Sequence, residues 1–430
     1  MKNLRTRNLF LISLSVVLMF TAWAGYCRVL GIQTHILSDT STDLSRILGR
    51  TPAFPRPTLH RFLSGTFQAR MENAAGDSIP FLEQVIPFLT YWKTLFYELS
   101  LEVLPRSWSP ALPVGGKDYV RIRGKEQLLR TPVIYNTEII KQMYKAANYY
   151  NKIATRWPEV RFYVFAILAK EQVLAETRIW PAAPTQLLQG HKAVDQFKAL
   201  LQNSVAYDWA GKGRPAGEVL AFYYNTDHHL TMPGAYEAYR QLHHLISARG
   251  IDIGKVVQCK KWFVVPNVVF RGSRSRRSGG YESATDKLVD GLFALPYHKV
   301  TIHGSGQGQA RNKRLQYEAG DIPSGHFVNH YGEYFGGDHG LIEYVVDQVS
   351  ERRNLLVIAD SFKNCMEPLL AAHFSHSYFV DLRHFADDLG YSFNLDAFIS
   401  ENGITDVLFL GSVTTVMGDK TGQEFQERAD

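Results

Sequence analysis

Two stretches of this 430-residue chain carry side chains that could do covalent chemistry together. The first is Tyr223-Tyr224-Asn225-Thr226-Asp227-His228-His229-Leu230-Thr231. An acid two residues before a histidine can fold back in a tight turn, accept the imidazole Nδ1–H and fix the tautomer that leaves Nε2 free. His229 is then the candidate general base and Asp227 the group that orients it, while the intervening His228 reads as a structural or surface histidine. The second stretch, Asn354-Leu-Leu-Val-Ile-Ala359-Asp360-Ser361-Phe362, sets a serine just beyond an apolar run. A serine hydroxyl is a weak nucleophile until a base takes its proton. His229 is the base the sequence offers to Ser361. The competing use of Asp360 or Ser361 is as a helix cap, a common job for these residue types.

The same loops also offer metal donors: Asp227, His228 and His229, with Asp338 and His339. Adjacent histidines seldom both reach one ion, and no HxxE or HxxxH helix spacing accompanies them, so no metal site and no cofactor are expected.

These residues need elements to hold them. Phe162–Leu168, Glu218–Tyr224, Trp262–Phe270, Leu355–Ile358, Tyr378–Val380 and Val407–Leu410 are short apolar or aromatic runs of strand length. Helical spacing marks Phe81–Val103, ended by Pro105, and Ile134–Trp157, ended by Pro158. It recurs at Ala193–Leu201, Gly234–Arg249, from Ser361 to His373 and at Leu395–Glu401, with Pro368 kinking or restarting the fifth of these. A turn holds Gly115 and Gly116, and a Gly- and Arg-rich stretch, 271–340, reads as a loop-rich insertion. Strands alternating with helices predict an α/β fold with a mostly parallel sheet and helices on both faces. Such sheets place their sites at the carboxyl ends of strands. Both stretches sit at such ends, and free N–H groups opening the helix after Ser361 could face a developing oxyanion.

Before this body, Lys2, Arg5 and Arg7 precede an apolar run from Leu9 to Phe20, then Ala22-Trp23-Ala24, a secretory leader pattern. Residues 1–26 are read as a signal peptide or a signal anchor, the apolar stretch 9–26 being near the lower length for a membrane span. Residues 27–60, rich in Thr, Ser and Pro, read as a linker or irregular arm, leaving 61–430 as the catalytic body. The formal charge of +6 includes those three leader cations and Arg271, Arg274, Arg276 and Arg277, so the rest of the chain is close to neutral. The Arg cluster reads as a solvated loop or as a contact for an anionic polysaccharide or lipid headgroup. No nucleic-acid-binding signature accompanies it, and no nucleic-acid partner is expected. Cys27, Cys259 and Cys365 are too few for a disulfide scaffold, although an exported chain permits a Cys259–Cys365 bridge.

Thr226-Asp-His-His-Leu-Thr-Met-Pro-Gly234-Ala235, with Tyr236 and Tyr239 beyond it, resembles the DHHW motif of bacterial envelope proteins in the SGNH-hydrolase-like superfamily. Val357-Ile-Ala-Asp-Ser-Phe-Lys-Asn364, Pro368-Leu-Leu-Ala-Ala-His373-Phe374-Ser375 and Val380-Asp381-Leu382-Arg383 resemble its nucleophile block. Phe62-Leu-Ser-Gly65-Thr-Phe67 and Phe270-Arg-Gly272-Ser273 fit it too. The alginate O-acetylation proteins share this order of acid and histidine before serine. The resemblance implies a flavodoxin-like SGNH-hydrolase fold and acyl-ester chemistry on an envelope or extracellular polysaccharide. O-acetyl transfer is expected, with an O-acetyl esterase or an inactive polysaccharide-binding or assembly protein as alternatives. It implies Ser361, His229 and Asp227 as the catalytic set, and Arg383, Asp360, Tyr224 and Asn364 as candidates for binding substrate or the oxyanion. A salt bridge to Asp381 is the other use of Arg383. The acyl donor would be an acetyl ester or an acetyl group delivered by a membrane partner, outside the cytoplasm, in the periplasm or at the cell surface. Leu230 stands in place of the motif's tryptophan and Ala359 in place of the glycine before Asp-Ser. The loop Gly336-Gly337-Asp338-His339-Gly340 reads as a turn or as a source of backbone donors.

Overall fold

The computed structural model describes residues 92, 95, 111–113, 119–122, 127–130, 137–174, 190–277, 285–304, 328–347, 349 and 351–418. The leader and linker expected over 1–60, the motif at Phe62–Phe67, most of the helix expected at 81–103 and the Gly115–Gly116 turn lie outside them. No helix among the described residues is long and apolar enough to cross a membrane.

A small antiparallel sheet of β1 (Ala111–Pro113), β2 (Tyr119–Ile122) and β3 (Leu128–Arg130) precedes helix α1 (Thr137–Arg156). The chain continues through β4 (Arg161–Ile167), α2 (Lys170–Leu174), α3 (Gly190–Leu200), β5 (Val205–Trp209), α4 (Ala216–Leu220) and α5 (Met232–Ser247). Next come β6 (Cys259–Phe270), α6 (Ser273–Arg277), β7 (Asp286–Phe293), β8 (His298–His303), α7 (His330–Phe335) and β9 (Leu341–Val346). β10 (Asn354–Ala359) leads into a single 3₁₀ turn, Ser361–Lys363. After it come α8 (Glu367–Ala371), β11 (His376–Val380), α9 (Leu382–Leu389), α10 (Leu395–Glu401), β12 (Asp406–Ser412) and α11 (Val413–Val416).

The main sheet has seven strands in the order β5-β4-β12-β10-β11-β9-β8. The first five are parallel, and β9 runs antiparallel between β11 and β8. Central strands β4, β10 and β12 are buried over almost their whole length. Continuous apolar runs suit parallel strands covered on both faces. The register sets Leu356 between Val407 and Tyr378, and Val407 in turn against Phe162. That arrangement brings the carboxyl ends of β10 and β12 to the same edge of the sheet, where Ser361 follows β10.

Several expectations are corrected. Glu218–Tyr224 is not a strand: Pro215 (φ −58°) opens α4, whose Val219 and Leu220 are buried, and only Tyr223 forms a β-bridge, to Leu230. The edge strand is instead β5, which alternates buried and half-exposed residues and so lacks a continuous apolar run. Trp262–Phe270 is extended but belongs to a separate hairpin with β7, irregular between Val264 and Val269. The stretch 271–340 contributes α6, β7, β8 and α7 rather than loop alone. The helix expected from Ser361 to His373 is split, with Pro368 in the first turn of α8, where its missing N–H costs no helical bond. Cys259 and Cys365 are free thiols, the second buried, so no bridge joins them.

Candidate active site

The Asp227–His229 loop is pinched at its base and clamped from behind. Besides the Tyr223–Leu230 bridge, Tyr224 N–H donates to His229 O at 3.3 Å. Asp286, opening β7, accepts from Asn225 N (2.6 Å), Thr226 N (2.8 Å) and Thr226 Oγ1 (2.6 Å). Lys170 Nζ, fully buried on α2, donates to Tyr224 O (2.6 Å) and Asn225 O (3.0 Å). Burial and Arg274 push this amine down to about 7, against the pull of Glu171, Asp286 and Asp227. From α6, Arg274 N–H and Ser275 N–H both donate to Thr226 O. The backbone N–H and C=O groups of Tyr224, Asn225 and Thr226 thus all find partners, as burial demands.

Within this frame, Asp227 and His229 meet as the spacing predicts. Asp227 Oδ1 lies 2.9 Å from His229 Nδ1, and His229 Nε2 lies 2.7 Å from Ser361 Oγ, across 132 residues of sequence. A carboxylate only accepts, so Nδ1 carries the imidazole proton and Nε2 turns its lone pair to the serine. Asp227 is also held from α6: Ser273 N–H donates to Oδ2 (2.7 Å) and Ser273 Oγ to Oδ1 (3.1 Å). Burial alone would raise its carboxyl, but His229 and His228 hold it well below the usual range. The approach of α6 depends on Gly272, where a Cβ would fall 2.4 Å from Asp227 Cβ and 2.5 Å from Thr226 O.

Aromatic rings fix the imidazole in place. Tyr331 on α7 stacks on His229 at 3.7 Å with an interplanar angle of 2°, and His228 lies at 3.8 Å, tilted by 37°. Two rings at that distance must take opposite faces of the imidazole. Phe362 closes an edge at 5.3 Å, and Tyr331 Oη donates to Ser361 O at 3.1 Å, tying α7 to the serine turn. Tyr331 is the functional residue that sequence reasoning missed; it lies inside the stretch taken as a loop-rich insertion.

Ser361 opens the 3₁₀ turn, so its N–H has no acceptor within that turn. Asp360 is its N-cap: the carboxylate accepts from Phe362 N (3.1 Å), Ser412 N (3.0 Å) and Thr415 Oγ1 (2.8 Å). Three donors of the fold thus converge on this carboxylate. Asn364 is likewise committed, its Nδ2 to Gly337 O (3.3 Å) and Asp338 Oδ1 (2.9 Å), its Oδ1 to buried Lys363 (3.1 Å). Tyr224 is buried in the core and stacked on Phe270 at 4.2 Å. Arg383 pairs with Asp381, Nε to Oδ1 at 2.9 Å, and reaches Asp338 at 3.4 Å. Leu230 is fully buried. The 336–340 loop turns at Gly336 (φ 93°) and Gly337 (φ 79°) and is tied to the serine turn through Asn364.

Of the Arg cluster, Arg274 and Arg276 are engaged by the fold rather than left to solvent. Arg274 is buried and ion-paired with Glu171, and Arg276 donates to Arg271 O and Val328 O. Asp227, His228 and His229 place three donor atoms close enough for an ion. Two of those three groups are already spent on each other and on Ser361.

The chain matches no family model, and no curated protein is similar to it in sequence. Solved structures share its fold. Bacillus cereus PatB1 with a sulfonyl adduct superposes with a TM-score of 0.54 at 21% identity, over 68% of this chain and 95% of that one. PatB1 in a second structure gives 0.54 at 20% identity, over 70% and 98%. A DHHW family protein from Eubacterium siraeum gives 0.53 at 17% identity, over 74% and 99%. The protein therefore has the fold of PatB1 and of the DHHW family protein, the likeness expected from Asp227-His228-His229.

Proposed function

We propose that this chain is an SGNH-hydrolase-like serine O-acyltransferase of the cell envelope, transferring acetyl groups to a polysaccharide hydroxyl. The observation that carries the proposal is the unbroken hydrogen-bond chain from Asp227 Oδ1 through His229 to Ser361 Oγ. Strand order agrees with it. In chain order the five parallel strands read 2-1-5-3-4 across the sheet; counted from β10, which bears the serine, and wrapping round to β4 and β5, they read 5-4-3-1-2, a circular permutation of the flavodoxin-like order 2-1-3-4-5. Fold kinship with a protein that carries a sulfonyl adduct agrees with a chain that holds a nucleophile.

In the first half-reaction Ser361 Oγ attacks the carbonyl carbon of an acetyl ester as its proton passes to His229 Nε2. The tetrahedral intermediate collapses, the bond to the leaving alcohol breaks, and that alcohol departs with the proton from His229. Ser361 N–H, without an acceptor in its turn, would donate to the oxyanion. In the second half-reaction a sugar hydroxyl gives its proton to His229 as its oxygen attacks the acetyl carbon. The Oγ–carbon bond breaks and the proton returns to Ser361. Water taking the place of the sugar gives an O-acetyl esterase from the same residues. A leader at 1–26 would set this chemistry outside the cytoplasm, with the acetyl group supplied by a membrane partner. Turnover of a chromogenic acetyl ester is expected from the purified protein and not from Ser361→Ala; equal turnover by both would refute the enzyme.

A further inference from the structure

The intervening histidine of the motif has no part in the relay just described, yet it is the site's most open ring. The side chain of Asp227 is 1% exposed and that of His229 8%, whereas that of His228 is 40% exposed. Solvent, and any acceptor, therefore reaches this cluster past His228. Its orientation is fixed: Nδ1 lies 2.7 Å from Ser273 Oγ and 3.0 Å from Asp227 Oδ1. The carboxylate cannot donate, and Ser273 spends its own proton on Asp227 Oδ1. Nδ1 must then carry the hydrogen of His228, which leaves Nε2 as a bare acceptor, bonded to no described residue.

We infer that His228 binds the acceptor: its Nε2 accepts a hydrogen bond from one hydroxyl of a vicinal diol while the neighbouring hydroxyl attacks the acyl-Ser361. This rests on the acyl-transfer reading above. The two imidazole rings lie side by side, with centroids 3.8 Å apart, close enough for both to meet one acceptor molecule. One ring can take the proton of the attacking oxygen as the other holds its neighbour. Desolvation of the inner part of this half-exposed ring and the nearby His229 push His228 below the ordinary histidine range, so its Nε2 is available throughout the neutral range. A methylene or a single hydroxyl in that position would leave Nε2 without its bond, which favours diol acceptors over simple alcohols and over water.

The test follows both half-reactions in one vessel. A chromogenic acetyl ester is mixed with the full protein, and the acylation burst is read first. The ratio of transfer to hydrolysis is then measured with a methyl glycoside bearing a vicinal diol and with a monohydric alcohol. The wild type should show the burst and prefer the diol. His228→Ala, which also bares one face of the His229 ring and so slows acylation, should lose that preference, its ratio of transfer to hydrolysis falling about tenfold, the worth of one good hydrogen bond. His228→Gln, whose amide oxygen can accept at a similar reach, should recover part of it. A burst with an unaltered diol preference in His228→Ala overturns this assignment and leaves the acyl-transfer reading standing. Loss of the burst itself in both folded variants would place the ring in the acylation machinery and overturn it too. A wild type without any burst would remove the acyl-transfer reading, and this inference with it.

Discussion

Asp227 Oδ1 takes hydrogen bonds from its own loop, from Ser273 and from His229, so this one oxygen orients the base and anchors α6. Replacing Asp227 by Asn removes the charge and puts an NH2 donor in place of one acceptor oxygen, so a donor then faces either His229 Nδ1 or Ser273 N–H, and losses on the order of 10⁴ in kcat follow such changes in serine triads. Asp227→Asn should show that loss in ester turnover while keeping its far-UV circular dichroism. Its carboxyl is held well below the ordinary range, so the stability it contributes is present above the unfolded carboxylate pKa and is lost as pH falls through the lower folded value. Tyr331 makes a second residue-scale prediction. Tyr331→Phe keeps the stack on His229 and should cost little, whereas Tyr331→Ala frees the ring and should lower kcat about 100-fold, the effect of a small misplacement. Asp227, His229 and Ser361 were legible because their chemistry demands particular residue types at a particular spacing. Tyr331 was not, since a stacking ring obeys no spacing rule and lies 102 residues beyond His229 in the chain.

Helix α6 holds Asp227 only because Gly272 lets it come close. Gly272→Ala places a Cβ against Thr226 O and Asp227. It should lower both ester turnover and the urea midpoint, because backbone rather than a flexible side chain would have to move. The Phe270-Arg-Gly272-Ser273 resemblance had marked the position without giving its reason. On α5, Tyr239 Oη meets His373 Nε2 at 2.6 Å, and His373 Nδ1 meets Ile253 O at 2.6 Å. Burial pushes His373 down to about 4 from an unfolded value near 6.5. The unfolded chain therefore binds the proton first, and stability is complete above pH 6.5 and declines toward pH 4, by about 3 kcal/mol if this group acts alone. Urea unfolding at pH 7.5 and 4.5 should show that decline in the wild type and a smaller one in His373→Gln. Helices α1, α3, α5 and α10 and strands β4, β10, β11 and β12 were legible from apolar runs and helical spacing. β5, β8 and β9 were not, because β5 and β8 are edge strands and β9 lies beside one, and half-exposed residues interrupt all three and leave no continuous buried run.

Across the whole molecule, the site is assembled from segments far apart in sequence, and buried charges help to join them. Arg274 links α6 to Glu171 on α2 and to Leu128 O on β3. Removing one member of a buried pair leaves the other uncompensated, so Arg274→Met should destabilise the protein by about 3–5 kcal/mol in urea unfolding, with Glu171→Gln added restoring part of it. The alternation of strands and helices made the parallel sheet legible. Its strand order was hidden, because contacts between β12 and β4 are set by packing across the whole chain and leave no local mark. That order brings the loop after α4 to the turn after β10, and the central claim is that His229 there activates Ser361. Its most direct test is mass spectrometry of the protein quenched in acid after brief exposure to an activated acetyl ester. A single acetyl group on the peptide that contains Ser361, absent from His229→Ala, is the predicted result. Acetyl groups on surface lysines alone, or an Ser361 adduct that forms equally fast without His229, would contradict it.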